Sequence, residues 1–213
     1  MSRRGAVALV LFSVLLAGCF TGKRPYFTDE PFPTGTMTGD VSIDAVLAKL
    51  DAVTTGPATA TFSVLTKFGN STTSAVVILD GGNRSVSIGN VQYIDTPTAQ
   101  ATCAQDGSVP CTAGLDATRV SDIGITVDFY APDVAKRLRR DFRAMTGPSN
   151  PHVETIAAQP VTCVDLPLSG GVAVYCVMEN GMVARLDDGD VAVNLTLFGA
   201  VADASKFLIP VDA

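Results

Sequence analysis

The chain has 213 residues, 47% of them apolar and 17% charged, with a formal net charge of −6. This is globular rather than disordered composition, and a chain of ~150 residues already buries about two thirds of its unfolded surface. The acidic balance argues against nucleic acid as a partner, because phosphate binding depends on Lys and Arg.

Residues 1–18 form a short basic segment holding Arg3 and Arg4, then an apolar run from about Ala6 to Ala17. The run is too short for a stable membrane span and has the layout of an export signal. Its end, Leu16-Ala17-Gly18-Cys19, resembles the bacterial lipobox. That resemblance implies that Cys19 carries a diacylglycerol thioether and becomes the mature N-terminus. The expected location is then the extracytoplasmic face of the cell membrane, with the N-terminal lipid as the anchor. Two acyl chains hold a protein stably, at ~0.8 kcal/mol per buried CH₂. Residues 19–40 follow as a Pro/Gly/Thr-rich tether without helical or strand periodicity.

A single α+β domain is expected over residues 41–213. Ser42 reads as a helix N-cap, followed by Ile43, Val46, Leu47, Leu50 and Val53 on one apolar stripe. The period then drops to two. Ala60, Phe62, Val64, Thr66 and Phe68 share one face of a first strand, and Ser74–Leu79 forms a second. Asp80-Gly81-Gly82-Asn83 is a turn signal, after which Val86 and Ile88 mark a third strand and Val91–Ile94 a fourth. Residues 95–122 read as irregular. Ile123, Ile125, Val127 and Phe129 alternate as a further strand, and Pro132 opens a helix with Val134, Leu138, Phe142 and Met145 inward. Five more strands are expected at about 153–158, 161–167, 172–178, 182–186 and 190–198, with Asn180-Gly181 and Asp188-Gly189 as turns.

Five cysteines make an odd count, and assigning Cys19 to lipid leaves four. An exported protein meets oxidising surroundings, so Cys103–Cys111 and Cys163–Cys176 are expected as disulfides. In CVDLPLSGGVAVYC a turn at Ser169-Gly170 makes Cys163 and Cys176 directly opposed, with Cα atoms ~4.5 Å apart. Spacings of 8 and 13 do not resemble zinc knuckles, so no metal is expected.

Signals for catalysis are absent: there is no Gly-x-Ser-x-Gly elbow, and the only histidine, His152, follows a Pro/Gly-rich turn and reads as a loop residue. No cofactor motif is present, and the chain reads as a non-enzyme. Two features are candidates for binding. Lys136, Arg137, Arg139, Arg140 and Arg143 crowd one helix in an otherwise acidic chain. They would contact anionic lipid headgroups, each near-surface cation being worth ~1 kcal/mol, or form a solvated face balanced by Asp133, Asp141 and neighbouring acids. Phe62, Val64, Val76, Ile78, Val86, Ile88, Val127 and Phe129 would line a lipid-sized cavity, or be filled by the helices as ordinary core.

The lipobox, the tether, the early amphipathic helix, the long antiparallel sheet with a helical insertion and the ending Asp203–Pro210 resemble a known group. This is the actinobacterial lipoproteins of the LppX/LprG type and, more distantly, the LolA-like lipoprotein carriers. The resemblance implies a curved half-barrel-like sheet wrapped on one or two helices, and the binding or transfer of a lipid or lipophilic ligand. The other reading is an envelope lipoprotein acting through protein contacts, as an accessory or sensor subunit.

Overall fold

A computed structural model describes residues 32–53 and 56–210; Cys19, the export signal and the first part of the tether lie outside them. Eleven antiparallel strands make one curved, half-barrel-like sheet packed on helices, an α+β fold. Helix α1 is Val41–Asp51. Six strands follow: β1 Ala58–Thr66, β2 Ser71–Asp80, β3 Asn83–Ile88, β4 Val91–Asp95, β5 Gln100–Ala104 and β6 Thr112–Ala113. The 3-10 segment Ala117–Ile123 and helix α2, Pro132–Arg143, cross to the second group. That group is β7 Asn150–Ile156, β8 Gln159–Leu168, β9 Gly171–Met178, β10 Val183–Asp187 and β11 Val191–Gly199. The spatial order is β6-β5-β4-β3-β2-β1-β11-β10-β9-β8-β7. Each half is a meander of neighbours in sequence, and the pairing of β1 with β11 joins the halves.

Several local rules account for the elements. Asp40, not Ser42, caps α1: its carboxylate accepts from Ser42 N at 2.9 Å and Ile43 N at 3.1 Å. A carboxylate is the stronger acceptor and also meets the positive end of the helix dipole, so the helix starts ahead of Ser42. Residues 35–40 are bound rather than free. Gly35 N donates to Asp51 at 2.9 Å and Thr38 N to Asp44 at 2.7 Å. Gly81-Gly82 and Gly89-Asn90 close two-residue hairpins, with Asp80 opposite Asn83 and Ile88 opposite Val91. The β8–β9 register places Leu168 against Gly171 and Cys163 against Cys176.

Three expectations differ from the structure. The stretch read as irregular contains β5 and β6, short strands whose few residues carry little periodicity. Ile125, Val127 and Phe129 are buried as alternation predicts, yet they belong to no strand. The segment packs these side chains into the core without joining the sheet and is held by local bonds, Phe129 N donating to Thr126 O at 3.2 Å. Phe68 lies beyond the end of β1 and is 94% exposed, so the strand ends two residues earlier than the alternation suggests.

The core lies between the concave face and the two helices. Ile43, Val46, Leu47 and Leu50 of α1 and Val134, Ala135 and Leu138 of α2 are each at most 1% exposed. A fully buried aliphatic side chain contributes ~1.5–3 kcal/mol, so the two helices are held mainly by this contact. Among the described residues no helix is long and apolar enough to cross a membrane.

Candidate functional site

The residues expected to line a cavity on the concave face are for the most part packed by the chain itself. Phe62 is 1% exposed, and Val64 and Val86 are 0% exposed. No void that would admit a water molecule adjoins Val64 or Val86. The Phe129 ring comes down from the crossover and meets the Phe62 ring edge to face, centroids 5.2 Å apart. Ile88 and Val127 complete this packed set. Val76 and Ile78 do not belong to it. The register sets Ala75 opposite Phe62 and Val77 opposite Ala60, which turns Val76 and Ile78 to the convex face. Because side chains alternate, a single-residue choice of face on β2 moves the whole set.

The basic helix has its own partners within the domain. Arg139 is 3% exposed, donates to Thr36 O at 2.8 Å and pairs with Asp51. A buried, paired guanidinium is not a headgroup contact. Arg137 binds Asp188 at 2.7 Å and Gly124 O at 2.6 Å. Arg140 binds Asp141 at 2.7 Å and reaches Asp188 at 3.5 Å. Lys136 lies 3.9 Å from Asp133, one helical turn away. Arg143 is exposed, and its guanidinium lies 4.8 Å from the centroid of the Phe32 ring.

Two acids organise this helix: Asp141, one of the acids expected to balance its charge, and Asp188, which the sequence reading did not connect with it. Asp141 is 4% exposed and accepts from the Tyr175 hydroxyl at 2.5 Å. Burial, reinforced by this carboxylate, pushes the Tyr175 phenol well above its ordinary range. A signal for Asp141 was present: it stands seven residues after Val134, on the stripe assigned to the core. Asp188 is 2% exposed at the β10–β11 turn. Its carboxylate accepts from Asp190 N at 2.8 Å, Val191 N at 2.9 Å and Arg137. Burial alone would raise the pKa of Asp188, but the two backbone donors and Arg137 outweigh it and hold it below the ordinary value.

On the convex face the two cysteines at the centre of β8 and β9 are bonded, Cα atoms 4.0 Å apart. Cys103 and Cys111 form a second bond that ties β5 to the loop after it. Over Cys163–Cys176 lies Glu154 of β7, its oxygen 3.3 Å from Cys176 Sγ and 2.8 Å from Arg185. His152 is also on β7, opposite Cys163, and not in a loop. His152, Glu154 and both sulfurs converge within 4.8 Å. The disulfide uses both thiols, so the group is not a metal site in this state.

Among the described residues β7 ends the sheet with no strand beyond it, and Val153 on it is 80% exposed. Beside it runs a surface groove of ≈ 340 Å³, whose walls include Lys49, Val153, Thr155, Pro160 and Glu179. Lys49 and Glu179 pair across it at 2.5 Å.

No known protein family's sequence profile matches the chain, and no curated protein matches it. Solved structures resemble it in outline only. The crystal structure of MucB has a TM-score of 0.47 at 11% identity, covering 82% of this chain and 64% of that one. MucB in complex with MucA(peri) has a TM-score of 0.41 at 10% identity, covering 78% and 59%. The Pseudomonas aeruginosa MucA/MucB complex has a TM-score of 0.37 at 10% identity, covering 78% and 60%. The chain spans less than two thirds of the length of each.

Proposed function

We propose that the protein is a non-catalytic, membrane-tethered module of the extracytoplasmic face that works by contact with another protein. The observation that carries this reading is the filled concave face. Where a carrier of this shape would hold acyl chains, Phe62, Val64, Val86 and Phe129 are at most 2% exposed. A lipid ligand would have to lift α1 or α2 from the sheet, against the burial of their apolar stripes. Binding is then a matter of surface. The free edge of β7 beside its groove suits an extended segment of a partner, which would add backbone hydrogen bonds to the sheet and place side chains in the groove. Anchoring through a lipid on Cys19 is part of this reading.

The test uses the full-length protein in its own membranes, with a photo-crosslinking residue in place of Val153 or, as a control, of Leu197 on β11. A discrete protein adduct from position 153 and not from 197 is expected. Equal adducts from both positions, or adducts with lipid alone, would overturn the reading.

A further inference from the structure

Three turns and the end of α2 meet at one end of the domain. Lys67, in the β1–β2 turn, donates to Asp187 at 2.6 Å, and its backbone N donates to Asp190 O at 2.9 Å. That joins the β1–β2 turn to the β10–β11 turn. A cleft of ≈ 360 Å³ brings Lys67 and Gly189 together with Leu168 and Val172 of the β8–β9 hairpin and with Ala144 after α2. Thr146 N donates to Pro167 O at 2.9 Å and holds the α2 end against that hairpin. At the tip of the first turn stands Phe68, 94% exposed, the most exposed large apolar side chain among the described residues. Val172 at the second turn is 59% exposed.

The chain enters the domain at this same end. The Phe32 ring lies 4.8 Å from the guanidinium of Arg143, the last residue of α2. Twelve residues separate Phe32 from Cys19. A segment of that length spans at most ~40 Å when fully extended. A domain of this size is about 30–40 Å across, on the usual scaling of radius with length. The anchor is therefore tied within about one domain width of Phe32, which favours the end that carries Phe32 as the one nearest the membrane. By contrast the exposed Leu197 pairs with Thr61, and the exposed Val201 accepts from the Thr59 hydroxyl, both toward the other end of β1. Thr66 and Thr59 of β1 are ~24 Å apart at strand rise.

We propose that this turn cluster is the membrane-facing end of the domain and that the Phe68 ring enters the interface of the bilayer carrying the anchor. An aromatic ring on an exposed turn gains by leaving water for the headgroup–acyl boundary, and Arg143 beside Phe32 meets anionic headgroups there. This rests on the reading of Cys19 as the lipid-bearing residue. It leaves the β7 edge in water and open to a partner.

The chain contains no tryptophan, so one introduced indole reports alone. Full-length Phe68→Trp, and Leu197→Trp in parallel, are reconstituted into phosphatidylcholine/phosphatidylglycerol vesicles containing brominated acyl chains. The N-terminal peptide of each sample is weighed by mass spectrometry. The expected result is a diacylglyceryl mass on Cys19, blue-shifted and bromine-quenched emission from position 68, and unquenched emission from position 197. A lipidated protein whose position-68 indole is quenched by aqueous iodide and not by bromine overturns the inference. Bromine quenching at position 197 instead of 68 overturns it equally. A peptide without lipid overturns the anchor reading itself.

Discussion

The hydroxyl of Tyr175 donates to Asp141 at 2.5 Å, from the middle of β9 to the sheet-facing side of α2. Both groups are buried, so the bond fixes the rotation of α2 on the sheet as apolar contacts alone would not. Truncating the acid leaves the phenol buried and unsatisfied, whereas removing the phenol leaves the acid with Arg140. Asp141→Ala is expected to cost about 3 kcal/mol and Tyr175→Phe about 1 kcal/mol in urea-denaturation stability. Equal costs would mean that the pair does not act through burial.

Acid should weaken the domain through Asp188. Its folded pKa lies below the ordinary 3.8, so the stability it supplies is present above that value and is lost as pH falls through the folded one. Asp40 and Asp44 at the start of α1 are also lowered; burial opposes this, but hydrogen bonds outweigh it, chiefly from Ser149, Ile43 and Ser42 for Asp40 and from Thr38 for Asp44. The urea midpoint should be flat from about pH 8 to 5 and fall below about pH 4. Asp188→Asn should be less stable at neutral pH and show a shallower fall in acid. An unchanged acid limb would remove Asp188 from the account.

Glu154 should protect the Cys163–Cys176 bond. An attacking thiolate approaches sulfurs that a carboxylate oxygen already covers at 3.3 and 3.6 Å. Like charges ~4 Å apart in water repel by about 1 kcal/mol, so Glu154→Gln should be reduced by dithiothreitol about fivefold faster. Arg185→Ala, which unmasks the carboxylate, should be reduced more slowly. Replacing both cysteines by serine should cost about 3 kcal/mol.

Gly181 sits at φ +84, and a Cβ there would lie 2.3 Å from Lys49 O and 2.7 Å from Val53 Cα. Both are backbone atoms and cannot swing aside. Gly181→Ala should therefore push the end of α1 outward and cost more than about 2 kcal/mol. Hydrogen exchange should show the loss in α1 first.

Much of the fold was legible because hairpins announce themselves. Ser169-Gly170, Asp80-Gly81-Gly82-Asn83 and Gly89-Asn90 each set a register, and from the first the pairing of Cys163 with Cys176 followed by counting. Elements held by tertiary context were not legible. The segment 123–129 has strand periodicity but buries its apolar residues in the core without joining the sheet, and β5 is too short to show a period. The basic helix was legible in part: Asp141, which takes up Arg140, stands next to it in the sequence, whereas Asp51 and Asp188, which take up Arg139 and Arg137, are distant in the chain and are brought close only by the fold.

The central claim of the proposed function is that the protein's own side chains fill the concave face and leave a lipid no room there. Native mass spectrometry of the full-length protein, released gently from its membrane, tests this most directly. The account predicts one mass, that of the chain with its covalent lipid. A second, non-covalent lipid retained at one per protein and lost on denaturation would contradict it.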